Sequence, residues 1–151
     1  MNIKKGLTLV AILSCSCAMH AQQESKQIDV SNICIDVNYM IPQRYPSRTV
    51  NDFSLSLKGD TVISQLPYMG QAHYATYGDT DGLNFKQPIT DKTIKFGKKG
   101  RTTIKFSCKN SSSTYDFSIE VYPDGAAYIN LFPSHADRIS YKGEWSSSIT
   151  E

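Results

Sequence analysis

The chain has 151 residues, 40% of them hydrophobic, with 16 Lys+Arg against 14 Asp+Glu, which suits a single globular domain and excludes collagen-like or disordered classes. Lys4 and Lys5 belong to a leader-like start, so from Gln22 onward 16 − 2 = 14 basic residues face 14 acidic ones. A balance of zero gives no bulk-charge argument for nucleic acid or an anionic membrane as the partner.

Met1-Asn2-Ile3-Lys4-Lys5 is a basic beginning, and Gly6 to Leu13 is an apolar run too short to span a bilayer. Together they read as a signal peptide over residues 1–21, cut after Ala21, with export to the periplasm or an outer-membrane-associated position. Ile12-Leu13-Ser14-Cys15 also resembles a bacterial lipobox, so the alternative start is a lipid-bearing Cys15. Residues 22–32 are polar without sustained periodicity and read as a tether. Residues 33–145 read as one β domain, and 146–151 as a polar tail.

Within that domain, Ile33, Ile35, Val37 and Tyr39 alternate with Cys34, Asp36 and Asn38 and end at Pro42, which suits an edge strand or a strand end. Gln43 to Arg48, with Pro46 inside, is a loop. Phe53, Leu55 and Leu57 alternate with polar residues up to Lys58-Gly59-Asp60-Thr61, and Val62 to Leu66 leads out again: a β-hairpin. Pro67-Tyr68-Met69-Gly70 ends it. Gln71 to Tyr77 can form a short strand, Gly78 to Gly82 is a turn, and Leu83-Asn84-Phe85 runs to the breaker Pro88. Thr93 to Phe96, Thr102 to Cys108, Thr114 to Tyr122, Ala126 to Phe132 and Arg138 to Lys142 follow as strands, with Gly97 to Gly100 and Pro123-Asp124-Gly125 as turns.

No segment carries a convincing 3.6-residue apolar stripe. The pattern predicts an all-β antiparallel meander of about eight to ten strands, closed as a lipocalin-like barrel or folded as a two-layer sandwich. Cys34 and Cys108 remain after cleavage and could pair in an oxidising compartment. Their strand faces argue against it: Cys108 follows Ile104 and Phe106 inward, whereas Cys34 sits on the face opposite Ile33 and Ile35.

Catalytic and metal signatures are weak. Asp79-Thr80-Asp81-Gly82 spaces two carboxylates but lacks the later ligands of a calcium loop. His73 and His135 have no second ligand at metal spacing. Asp116 and Glu120 share one strand face about 13 Å apart, beyond glycosidase geometry. No cofactor and no catalytic residue is expected. Arg44 and Arg48 flank Tyr45-Pro46-Ser47, where a guanidinium fork suits carboxylate, phosphate or sulfate groups. Tyr68, Tyr74 and Tyr77 cluster in a segment punctuated by Gly and Pro, where a barrel mouth would be lined by amphipathic rings. Lys98, Lys99 and Arg101 read as a solubilising hairpin end.

Met40-Ile41-Pro42-Gln43-Arg44 with Arg48, then Ser54-Leu55 through Leu57-x-Gly59-Asp60-x-Val62, then Leu66-Pro67-Tyr68-x-Gly70-x-Ala72, carry a family resemblance. It continues through Tyr77-Gly78, Gly82-Leu83-x-Phe85, Ile104-x-Phe106, Tyr115, Gly125 and Ile139-Ser140-Tyr141-x-Gly143. With these residues the chain resembles DUF4251, a family of exported Bacteroidetes proteins of unknown function. The resemblance implies an exported β-rich domain and brings no activity, substrate or catalytic residue. Family members tend to carry a longer, charged segment ahead of the position of Ile33, where this chain has its short polar stretch.

The expectation from sequence is an exported, monomeric, non-catalytic β domain. It would bind a small ligand or envelope component at a mouth lined by Arg44, Arg48, Tyr68, His73, Tyr77 and Phe85. The alternative is a module docking another envelope protein.

Overall fold

The computed structural model describes residues 28–71, 83–110 and 113–147. Nine strands make up the fold: β1 (Asn32–Pro42), β2 (Arg48–Lys58), β3 (Thr61–Leu66), β4 (Leu83–Pro88), β5 (Thr90–Phe96), β6 (Thr102–Asn110), β7 (Ser113–Val121), β8 (Ala126–Pro133) and β9 (Ile139–Ser147). Among the described residues the one helical piece is a 3-10 turn at Lys98–Gly100. The strands form a single nine-stranded sheet in the order β4-β3-β2-β1-β9-β8-β7-β6-β5.

The alternation read from the sequence builds this sheet. On β6 and β7, Ile104 faces Ile119, Phe106 faces Phe117 and Cys108 faces Tyr115 across the ladder. Phe117 and Ile119 then face Leu131 and Ile129 on β8, so one row of buried side chains runs from strand to strand. Between β2 and β3, Gly59 at φ 59° takes the left-handed position of the two-residue turn that pairs Lys58 with Thr61. Gly125 at φ 97° does the same after Pro123, where the Asp124 carboxylate accepts from the Ala126 N–H at 3.0 Å.

All ladders are antiparallel, so the two edge strands β4 and β5 run in the same direction. Only Ile89 separates them. Leu83–Phe96 is therefore one run, broken by a left-handed Asp91 at φ 54° and a register shift between Thr90 and Thr93, that pairs with β3 through its first part and with β6 through its second. Across the seam the Gln87 amide donates to the Asn110 side-chain oxygen at 3.4 Å. Phe85 of β4 stacks on Tyr115 of β7 at 5.1 Å and meets Phe117 edge-on at 6.4 Å. The result is a nearly closed barrel, which decides between the two architectures left open by the sequence.

The barrel is filled by its own side chains. Ile33, Ile35, Leu55, Leu57, Ile104, Phe117, Ile119, Ile129, Leu131 and Tyr141 are all buried in one core. Ser64 is buried with them, and its hydroxyl has no partner among the described residues.

The position of β1 corrects the edge-strand reading. It lies mid-sheet between β2 and β9, and Pro42 is its last residue, opposite Ile139. A bulge between Val37 and Tyr39 shifts its register on both sides, so Met40 turns into the core in place of Tyr39. Tyr39 is half-buried, with the Lys142 ammonium 5.9 Å from its ring. At the bulge Gly143 pairs with Val37, and a Cβ there would land on the Asp36 carbonyl. Cys34 and Cys108 are free thiols, half-buried and buried; the Ser56 hydroxyl donates to Cys34 Sγ at 3.3 Å.

The two ends of the barrel differ. The upper end gathers the β1–β2, β3–β4, β6–β7 and β8–β9 connections. The lower end gathers the β2–β3, β5–β6 and β7–β8 turns together with residues 28–31. Ile28 and Val30, late in the stretch read as a tether, are buried in the core, and the Ser31 carbonyl accepts from the Gly59 N–H at 2.8 Å. At its other end, β9 runs to Ser147, into the stretch read as a tail.

Candidate functional site

The upper end is where the predicted arginines and Tyr68 meet. Pro42 stops β1, and the chain turns through Gln43 to Ser47 before β2 starts at Arg48, which puts Arg44 in the loop and Arg48 on the first strand position. Arg138 precedes β9 at the same end, so three of the chain's four arginines converge there.

Asp137 anchors Arg44 among them. Its side chain is 3% exposed, and its Oδ2 takes Arg44 Nε at 3.1 Å and the Gln71 N–H at 3.1 Å. Its backbone N–H donates to the Gln71 carbonyl at 3.1 Å, and its carbonyl accepts from the Tyr68 hydroxyl at 2.9 Å. The buried Tyr141 hydroxyl donates to the Pro67 carbonyl at 2.7 Å. Pro67 to Gln71 is thus strapped to the β8–β9 connection from both sides. The strap is tight at Gly70, where an added Cβ would run into the Tyr68 phenol. Arg48 reaches the same strap, donating from Nη2 to Met69 Sδ at 3.3 Å.

These contacts set the protonation of the site. Burial first, and the Asp137 charge second, push the Tyr68 phenol up to about 12. Burial pushes Tyr141 further in the same direction. Both tyrosines stay neutral donors at any ordinary pH. On β6, burial and then the Asp116 charge push the Cys108 thiol up to about 12, which makes it unreactive as a nucleophile.

Arg44 differs from its partner in exposure. Its side chain is 53% exposed while bonded through Nε to a buried carboxylate. The terminal nitrogens make no further bond among the described residues. A guanidinium fixed in this way keeps two parallel N–H donors for an anion.

Of the six predicted mouth residues, the structure brings together Arg44, Arg48 and Tyr68. Phe85 is partly buried, packed against the core and stacked on Tyr115. His73 and Tyr77 lie outside the described residues, as do Cys15 and the Asp79-Thr80-Asp81 turn. Asp137 and Gln71 were not predicted: a lone Asp in a polar loop carries no spacing signal for a contact to residues some seventy positions earlier. Outside this end, Asp116 accepts from the Ser107 hydroxyl and Glu120 from the Tyr122 hydroxyl. Around the β1 bulge, Asp36, Asp52 and Glu144 border an open outer hollow of about 550 Å³. Among the described residues no group of three His, Cys, Asp or Glu could hold a metal ion.

Comparison with known proteins places this architecture. No match was found among curated proteins. A DUF4251 family protein from Bacteroides eggerthii, known from its crystal structure, is similar over 80% of this chain and 83% of its own, with a TM-score of 0.59 and 12% sequence identity. That likeness is one of fold. The profile of the family described as a domain of unknown function, DUF4251, matches residues 18–145, most of the sequence, and the chain therefore belongs to the DUF4251 family.

Proposed function

We propose that this protein is an exported, non-catalytic barrel that binds an anionic group of a small ligand or envelope component at its upper end. The observation that carries this reading is the half-exposed Arg44 guanidinium, held through Nε by the buried Asp137 carboxylate. A fixed guanidinium loses less side-chain entropy on binding than a free one, and its remaining N–H pair matches a carboxylate, phosphate or sulfate. Because the barrel interior is packed with its own residues, the ligand sits on the end of the barrel rather than inside it. Arg48 and Arg138 add charge nearby, and the Tyr68 and Tyr45 rings supply apolar faces for a sugar or ring attached to the anion.

The test is native mass spectrometry of the protein isolated from its own envelope fraction, beside a denatured run. Extra mass that disappears on denaturation is expected in the parent and is expected to be lost in Arg44→Ala. An unliganded parent, or a ligand retained equally by Arg44→Ala, would overturn the assignment.

A further inference from the structure

The lower end carries a feature that the charge balance of the whole chain hides. Lys92 to Arg101 reads KTIKFGKKGR, with five bases and no acid in ten residues. Lys92 is engaged, donating to the Gly59 carbonyl at 3.2 Å. Lys95, Lys98, Lys99 and Arg101 make no ion pair among the described residues. Beside them stand two of the exposed large apolar side chains of the barrel, Phe96 at 58% and Ile94 at 38% exposure. They share one strand face with their ladder partners Ile104 and Thr102 of β6, while Lys95, paired with Thr103, projects to the other.

The hairpin end is short and closed. The Gly97 N–H donates to the Arg101 carbonyl at 2.7 Å and the Arg101 N–H to the Lys98 carbonyl at 3.3 Å. Gly100, at φ 73°, packs against Pro123 of the neighbouring turn. Bases and an aromatic ring are thereby held together at one extremity of the molecule.

From this geometry we propose that the β5–β6 hairpin tip docks the barrel onto an anionic lipid surface, with Phe96 and Ile94 entering the headgroup layer and Lys95, Lys98, Lys99 and Arg101 meeting lipid phosphates. The chemistry is that of interfacial anchors, in which modest apolar burial adds to attraction between clustered bases and anionic headgroups. A solubilising tip needs the lysines; it does not need an exposed Phe among them.

The position of the N-terminal segment points the same way. The chain enters the barrel at this end, through Ile28 to Ser31. Cys15, one of the two N-termini expected from the sequence, is 28 − 15 = 13 residues away, a reach of at most about 45 Å. A lipid on that residue would hold this end of the barrel toward the membrane and leave the Arg44 end facing away from it.

Sedimentation of the full-length protein with lipid vesicles tests the proposal. Binding is expected to be tighter on phosphatidylcholine vesicles containing phosphatidylglycerol than on phosphatidylcholine alone, and the difference to shrink as salt rises. Because any leader or lipid is shared by parent and variants, the variants isolate the tip. Lys95→Glu with Lys98→Glu should weaken partitioning by at least about a hundredfold, and Phe96→Ser by about tenfold. Melting temperatures should stay unchanged, since these side chains are exposed. Equal binding of parent and charge-reversal variant, or equal binding to neutral and anionic vesicles, would overturn the proposal. So would absent vesicle binding with salt-sensitive association to polyglutamate, which would assign the tip to an acidic protein partner. Should the double variant fail to fold, Phe96→Ser and the salt dependence of the parent carry the same decision.

Discussion

The barrel closes its two ends by different physics. At the lower end Ile28 and Val30 enter the core, and the crossing segment is held by a backbone bond from Gly59 to Ser31. At the upper end the strap Pro67 to Gln71 is fastened by phenols and by one buried carboxylate. Burial of apolar surface is indifferent to pH and is not screened by salt, whereas a charged and hydrogen-bonded closure depends on pH and is screened. A mutation at one end should therefore differ from one at the other in its pH signature as well as its size.

The largest effect is expected at the lower end. Ile28→Ala should cost about 3 kcal/mol, seen as a denaturant midpoint lowered from the parent's by the same amount from neutral pH to pH 11. A loss below 1 kcal/mol would mean that residues 28–31 do not plug the barrel.

Asp137→Ala should cost about 2 kcal/mol, since Arg44 and the Gln71 N–H both lose their acceptor. Arg44→Ala should cost less, because the arginine is half in water and its ion pair is screened. If the two variants were equally destabilised, the carboxylate would be acting through the arginine alone.

Tyr68→Phe should cost about 1 kcal/mol at neutral pH, the net value of its bond to the Asp137 carbonyl. Its pH dependence is the sharper test. The folded state raises Tyr68 from 10.0 to about 12 and Cys108 from 9.0 to about 12, and raises Tyr141 as well. A raised pKa means that the fold retains protons the unfolded chain releases. The stabilisation is complete below about pH 9 and declines as pH climbs toward 12. The parent should lose stability over that window, Tyr68→Phe should lose it less steeply, and Ile28→Ala should follow the parent.

The smallest effect has the opposite sign. Ser64 is buried with an unpartnered hydroxyl, so Ser64→Ala should be neutral or stabilising by up to about 1 kcal/mol. A clear destabilisation would show that the hydroxyl has a partner in solution.

The sequence made the wall legible because strand alternation is a local signal: Ile104-x-Phe106-x-Cys108 and Tyr115-x-Phe117-x-Ile119-x-Val121 face inward as their period requires. The family resemblance was legible in the spaced residues around Gly59, Pro67 and Gly143. What the alternation could not announce was where it breaks. The bulge near Asn38 changes the face of every later residue of β1, and its structural cue lies in the Gly143 backbone, about a hundred residues downstream. The candidate site was half legible for the same reason. Arg44, Arg48 and Tyr68 stood out by residue type and by their breakers, whereas Asp137 acquires its role only when the β8–β9 connection is laid beside the β3–β4 one. Ile28 and Val30 carry no such signal, because two apolar residues at the edge of a polar stretch give no period to read.

The run Leu83–Phe96 has a kinetic consequence. It divides the chain into two meanders, β1–β4 and β5–β9, within which each ladder joins strands adjacent in sequence. The β1–β9 ladder is different: it joins residues as remote as Ile33 and Ser147, and its loop-closure entropy is offset only once both meanders exist. Folding should then be limited by the joining of the two meanders. Until that step both carry unpaired edges, so the barrel is most exposed to wrong strand partners while it is still two halves linked through Ile89.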